Sequence, residues 1–212
     1  MQRRLRLTQL RVKTMATLLH IKSSIFGDGG QSSQLAATFI EQWKAKNPGG
    51  EVIVRDLVEE NIPHLDGAIV TALMTPEEER TAEQQLIVNR SDELIAELRT
   101  ADQIVIGVPM YNFGVPTQMK AYFDLLARAG VTFRYTETGP VGLIEDKPVY
   151  LFATRGGLYR DSGQDFQIPF VKQFLSFIGF NSVETIYAEG LSMGDLAEKS
   201  LQSANQQIAS IH

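Results

Sequence analysis

The sequence predicts an α/β domain in which a doubly wound parallel sheet of five strands carries helices on both faces. Strand-like and helix-like hydrophobic periods alternate from one end of the chain to the other. Gln103-Ile104-Val105-Ile106-Gly107-Val108-Pro109 is a continuous apolar run, the pattern of a strand buried on both faces of a parallel sheet. A length of 212 residues with 43% hydrophobic content suits one such domain. Parallel neighbours need right-handed crossovers, so the intervening helices fall on the two faces of the sheet.

The elements follow in order. Met15-Ala16-Thr17-Leu18-Leu19-His20-Ile21 reads as the first strand, with a loop over residues 22–31 behind it. Leu35, Ala36, Phe39, Ile40 and Trp43 then share one helical stripe, which ends near Pro48-Gly49-Gly50. Glu51-Val52-Ile53-Val54-Arg55-Asp56-Leu57 alternates like a strand at the edge of the sheet. A Pro- and Gly-punctuated stretch leads to Thr75-Pro76-Glu77-Glu78, read as a helix start with Thr75 as N-cap and Glu78 closing a capping box. That helix places Ile87, Leu94, Ile95 and Leu98 on one face. After the apolar run, a helix is expected over residues 117–129 and an excursion over residues 131–144, turning at Gly139-Pro140. Pro148-Val149-Tyr150-Leu151-Phe152-Ala153 is the next central strand, and a helix follows around residues 169–177. Val183-Glu184-Thr185-Ile186-Tyr187 is the last strand, and Ala197, Leu201, Ala204, Ile208 and Ile211 share a face of the last helix. Residues 15–212 thus read as a single domain.

Composition removes several classes of function. With no cysteine there are no disulfides, thiolate metal sites or cysteine nucleophiles, which suits a reducing cytoplasm. No apolar run approaches the ~18 residues of a membrane span. The net charge of −5 argues against a nucleic-acid partner, which calls for clustered Lys and Arg. Residues 1–14 hold Arg3, Arg4, Arg6, Arg11 and Lys13 with no acid, and read as a basic lead outside the fold, disordered or left by an upstream start codon. His20 in a strand, His64 beside a proline and His212 at the last position form no metal-ligand cluster, so no metal is expected. Ser23 and Ser24 have no evident His–Asp partner for hydrolysis.

Ligands of such sheets bind beyond the carboxyl ends of the strands, where strand order reverses. Three loops at those ends stand out. Residues 22–33 combine hydroxyls with a Gly-rich backbone at a helix start, which suits a monophosphate and equally a polar turn with a helix cap. The loop lacks the Gly-Lys-Ser/Thr of a nucleotide triphosphate site and the spaced glycines of a dinucleotide site. Pro109-Met110-Tyr111-Asn112-Phe113-Gly114-Val115-Pro116 offers a wall for a flat ring, or simply completes a core. Thr154-Arg155-Gly156-Gly157 permits close backbone approach to a ligand, or is a plain turn.

These blocks carry a family resemblance. Lys22-Ser23-Ser24, Gln31-Ser32-Ser33-Gln34-Leu35, Met110-Tyr111-Asn112-Phe113, Tyr122-Phe123-Asp124-Leu125, Phe133-Arg134-Tyr135-Thr136-Glu137 and Arg155-Gly156-Gly157 resemble the FMN-dependent NADH:azoreductases, relatives of the flavodoxin-like quinone reductases. The likeness runs over residues 15–208 and leaves out the basic lead. It implies a flavodoxin-like three-layer sandwich with strand order 2-1-3-4-5. It implies that Ser24, Gln31, Ser32 and the backbone of Gly30 hold an FMN phosphate. Met110, Tyr111, Asn112 and Phe113 would line the isoalloxazine, and Thr154, Arg155, Gly156 and Gly157 would contact it from the fourth strand. Gly30 stands where relatives often carry a hydroxyl, and Thr154 where Ser is common.

The activity implied is hydride transfer from NADH or NADPH through FMN to azo compounds and quinones, by a ping-pong route in a cytoplasmic homodimer. The flavin carries the chemistry, so no catalytic side chain is assigned. Tyr135 and Phe177 are the residues expected in the acceptor pocket. The rivals are a quinone reductase with incidental azo activity and an electron-transfer carrier.

Overall fold

The apolar run at residues 103–109 becomes the middle strand of the sheet in the computed structural model, which describes residues 15–211. The basic lead over residues 1–14 lies outside the described residues. The sheet uses β1 (Thr17–Lys22), β2 (Glu51–Asp56), β3 (Gln103–Pro109), β6 (Val149–Thr154) and β7 (Val183–Ala188), ordered β2-β1-β3-β6-β7 with every neighbouring pair parallel. Counted within the sheet, this is the order 2-1-3-4-5. A separate antiparallel hairpin pairs β4 (Phe133–Thr136) with β5 (Gly139–Gly142).

Alternation along the central strands sorts their side chains into two cores. Leu19, Ile21, Ile104, Ile106, Val108 and Leu151 face one way, against α3 (Ala82–Thr100), α4 (Thr117–Leu126) and α5 (Gln167–Ile178). The same core takes in Ile69 of the short helix α2 (Gly67–Met74), with Leu73 packed against it. Leu18, Val105, Tyr150 and Phe152 face the other way, against α1 (Gln31–Lys46) and α6 (Leu196–Ser210). Helices on both faces leave three layers, and β2 at the edge exposes Val54 as its alternation implies.

Three local expectations are corrected. Thr75 ends α2 instead of starting a helix: its N–H reaches the Thr71 carbonyl at 3.0 Å and its hydroxyl the same oxygen at 2.7 Å. The capping box lies six residues on, where Thr81 Oγ1 accepts from the Gln84 N–H at 3.2 Å and Gln84 Oε1 from the Thr81 N–H at 2.9 Å. A start at Pro76 would have opened the helix on Glu77, Glu78, Glu79 and Arg80, which offer nothing to bury. α2 itself escaped the sequence reading, although Asp66 caps it by accepting from the Ile69 N–H at 2.8 Å. In the hairpin, Gly139 and Pro140 pair with Thr136 and Tyr135 inside β5, so the turn falls at Glu137-Thr138. The Thr136 hydroxyl stabilises that turn by donating to the Gly139 carbonyl at 2.7 Å.

The hairpin docks on the end of α5 through two glycines. A Cβ on Gly142 would lie 2.3 Å from the Gly179 nitrogen, and one on Gly179 2.2 Å from the Ile144 carbonyl oxygen. Gly142→Ala therefore sets backbone against backbone and is expected to cost about 2–3 kcal/mol in urea denaturation. A loss below about 0.5 kcal/mol, the size of an ordinary surface change, would show that the hairpin lifts freely from α5.

Candidate functional site

The carboxyl ends of β1, β3, β6 and β7 open on one cleft of ≈ 460 Å³, counted with its part open to solvent. Ser24, Gly30 and Gln31 line it from the first loop, Pro109, Met110 and Tyr111 from the second, and Thr154, Arg155 and Gly156 from the third.

The first loop builds an anion cradle. α1 begins at Gly30 with no side chain capping it, so its leading N–H groups keep their free hydrogens. Beside them Ser24 is buried, and Ser32 is buried with its Oγ unpartnered among the described residues. A Cβ at position 30 would stand 2.0 Å from Ser24 Oγ, so glycine lets the helix end approach that hydroxyl without displacing it. Gly107 on β3 makes room in the same way, since its missing Cβ would lie 3.3 Å from Ser32 Oγ. Lys22 is tied to Asp56 at 2.7 Å and to Asp28 at 2.9 Å, which anchors the loop. Ser23 turns away and donates to the Gly107 carbonyl at 2.7 Å. A helix N-terminus with two buried hydroxyls suits a phosphate monoester.

The second loop holds strain. Tyr111 and Gly114 exchange N–H to carbonyl hydrogen bonds at 3.1 Å each, closing a turn around Asn112 at φ 50° and Phe113 at φ 67°. Left-handed backbone is tolerable for Asn and costly for Phe, and such strain gathers at ligand sites. The N–H groups of Asn112 and Phe113 have no acceptor among the described residues. The Phe113 ring is exposed and meets Tyr159 edge-on at 5.9 Å.

The third loop departs from expectation at Arg155. Its backbone borders the cleft, but its N–H is spent on the Ala188 carbonyl at 3.0 Å. Its side chain has 0% exposure and pairs with Asp165 at 3.0 Å and Glu189 at 3.1 Å, with the Tyr187 ring 4.9 Å from the guanidinium. The loop's available donors are the N–H groups of Gly156 and Gly157, free of acceptors among the described residues. These glycines also answer to the chain's own packing. A Cβ on Gly156 would meet Ser192 Oγ at 2.8 Å, and one on Gly157 the Tyr159 hydroxyl oxygen at 3.0 Å.

Ser32, Asn112, Phe113 and Gly157 lie in the three loops but are not among the residues that line this cleft, and Tyr135 and Phe177 lie away from those loops. Tyr135 is exposed on β4, edge-on to Phe133 at 5.5 Å. Phe177 packs on Phe133 at 4.2 Å and borders a separate apolar hollow with Phe170 and Phe174. Conversely, Phe26, Leu191 and Ser192 line the cleft without having been singled out. Leu191 and Ser192 follow β7, so the rule of strand ends applied to the fifth strand would have found them. Among the described residues no group of three His, Asp or Glu is placed to hold a metal ion, and no helix is long and apolar enough to cross a membrane.

Fold and cleft together define a flavodoxin-like protein. The family model described as flavodoxin-like fold matches residues 16–211, and the chain belongs to that family. It is 58% identical to an FMN-dependent NADH:quinone oxidoreductase of Cellvibrio japonicus, covering 92% of this chain and 97% of the relative. A protein of the same description from Marinomonas sp. is 51% identical over 92% of this chain and 98% of its own length. Among solved structures, an azoreductase from Bacillus anthracis superposes with a TM-score of 0.84 at 29% identity, covering 92% of this chain and 97% of the other. An FMN-dependent NADH-azoreductase of the same species, solved in complex with FMN, gives 0.81 at 26% identity over 92% of this chain and 96% of its own.

His20 lies in β1 just ahead of the cradle, buried, with Nε2 unpartnered among the described residues. Burial, helped by the Lys22 charge, lowers its pKa from 6.5 to about 4. A folded pKa below the unfolded one gives stability that is complete above pH 6.5 and is lost as pH falls towards 4. The site is therefore expected to forfeit about 3 kcal/mol across that window. In urea denaturation at pH 7 and pH 4.5, His20→Leu should lose distinctly less stability than the wild type. Equal losses would mean that His20 does not resist protonation.

Proposed function

We propose that the protein is an FMN-dependent oxidoreductase that passes hydride from NADH to quinones and to azo compounds. The observation that carries this reading is one cleft where the start of α1, with Ser24 and Gln31, meets Met110 and Tyr111 of the second loop and Thr154 and Gly156 of the third, in loops whose Asn112, Phe113, Gly156 and Gly157 N–H groups have no acceptor among the described residues. A phosphate monoester fits the cradle and the polar rim of a flat ring fits the amides. The relatives and the solved FMN complex bear the matching descriptions. Quinone reduction draws its support from the relatives, and azo reduction from the structural neighbours.

Bound FMN supplies a two-electron centre that can accept a hydride from NADH and yield it to the acceptor. The chain's part is binding, orientation and charge. Ser24, Gln31, Ser32 and the Gly30 backbone hold the phosphate, helped by the α1 dipole. Met110, Tyr111, Asn112 and Phe113 would lie against the ring, and the Thr154 hydroxyl sits at the end of β6. The amides of Asn112, Phe113, Gly156 and Gly157 favour the electron-rich reduced ring, as backbone donors favour an oxyanion. Arg155 contributes from behind this surface, and no titratable side chain of the cleft is needed as an acid or base.

With the Met110–Phe113 loop against one face of a bound ring, donor and acceptor would share the other and use it in turn. The exposed rings of Phe26, Phe113, Tyr135 and Phe166 suit burial against a second copy of the chain. In a homodimer, Tyr135 and Phe177 can serve the acceptor side from the partner subunit, although they do not reach their own cleft.

Initial rates of the FMN-loaded protein, with NADH varied against menadione and then against methyl red, test this function. Parallel double-reciprocal lines are expected with both acceptors. Intersecting lines would mean a ternary complex and end the shared-face account; turnover of menadione alone would limit the function to quinones.

A further inference from the structure

The second and third loops are held by one cluster of buried side chains behind the cleft, which borders it only through the Arg155 backbone. At its centre is Arg155, whose guanidinium can only donate and must be paired where water cannot reach it. Asp165 and Glu189 take part of that charge. Glu189 Oε1 also accepts from the Tyr159 N–H at 2.8 Å and the Arg160 N–H at 2.9 Å, fixing the backbone just beyond Gly156-Gly157. The remaining partner is Gln167, almost fully buried at the start of α5, whose Oε1 accepts from Arg155 at 3.3 Å.

That contact decides which way the amide points. Its oxygen faces a group with no lone pair to offer, so its NH2 must face the opposite side. There it donates to the Pro109 carbonyl at 2.8 Å and the Gly114 carbonyl at 3.0 Å. These two oxygens bracket the strained turn. The turn closes on itself through Tyr111 and Gly114, so Gln167 is not needed to form it. What the amide fixes is where the turn sits relative to Gly156 and Gly157.

We propose that Gln167 is a positioning residue for the flavin ring: oriented by Arg155, it sets the Asn112–Phe113 amides at the spacing from the Gly156–Gly157 amides that the ring needs. The inference rests on the FMN reading given above. It assigns Gln167 an effect on flavin affinity and on the reduction potential of the bound flavin, because both depend on the same donors.

Q167E tests it with little change of shape. A protonated glutamic acid can still donate to one carbonyl, whereas the carboxylate binds Arg155 and donates to neither. FMN affinity, measured by fluorescence quenching, and reduction potential, measured by spectroelectrochemistry, should both gain a pH dependence beyond that of the wild type, whose flavin already takes up a proton on reduction. At the basic end of a range of about pH 5 to 9, FMN should bind about tenfold more weakly and be harder to reduce, with recovery at the acid end. Q167L, which donates at no pH, should show the weakened state throughout. Melting of the flavin-free variants measures any structural cost separately. Variants that melt lower but keep wild-type affinity and potential at every pH would overturn the inference and leave the FMN reading intact. A wild type that takes up no FMN would remove the FMN reading, and this inference with it.

Discussion

Arg155 takes a positive charge out of water at the back of the cleft, and the geometry in front of it follows from how that charge is satisfied. A buried ion pair adds little net stability, yet breaking one by removing a partner costs about 3–5 kcal/mol. Set against a total stability of about 5–15 kcal/mol, that penalty is large enough to forbid arrangements that leave the guanidinium alone. Its partners come from the loop before α5, from α5 itself and from the loop after β7. Through Gln167 the constraint extends to the turn after β3. Segments far apart in the chain are thereby fixed against one another at the end of the sheet where a ligand would enter.

The cradle at α1 depends on space more than on charge. Gly30 omits a side chain that would collide with the Ser24 hydroxyl, and Gly107 omits one that would crowd the Ser32 hydroxyl. The two halves of the cleft therefore differ in kind. One is an opening kept by missing atoms, and the other is a strained turn held by a buried charge. Strain at Phe113 persists because the turn's own hydrogen bonds and the Gln167 amide together outweigh it.

The sheet was legible because its signals are strong and local. β3 and β6 are apolar on both faces, β2 alternates as an edge strand does, and loops at strand ends are where the Gly, Ser and aromatic residues gather. The capping of α3 was less legible, since Thr75 and Thr81 both head a suitable pattern and only the burial of later residues selects Thr81. Arg155 was assigned to the cleft from its position beside Gly156, but sequence gives a residue's place and not the direction of its side chain. Gln167 and Glu189 left no local signal, because their role exists only once α5 and β7 are brought against β3 and β6. Tyr135 and Phe177 were expected in one pocket, and Phe133 does join them, but neither lines this chain's own cleft.

The central claim is that the start of α1 holds the phosphate of FMN while the two loops hold its ring. Calorimetric titration of the flavin-free protein with FMN and with riboflavin, which lacks only the phosphate, tests this most directly. The account predicts one FMN per chain. It also predicts that riboflavin binds about 100-fold or more weakly, the effect of losing two charge-assisted hydrogen bonds. Equal affinity for the two flavins, or heat from neither, would contradict it.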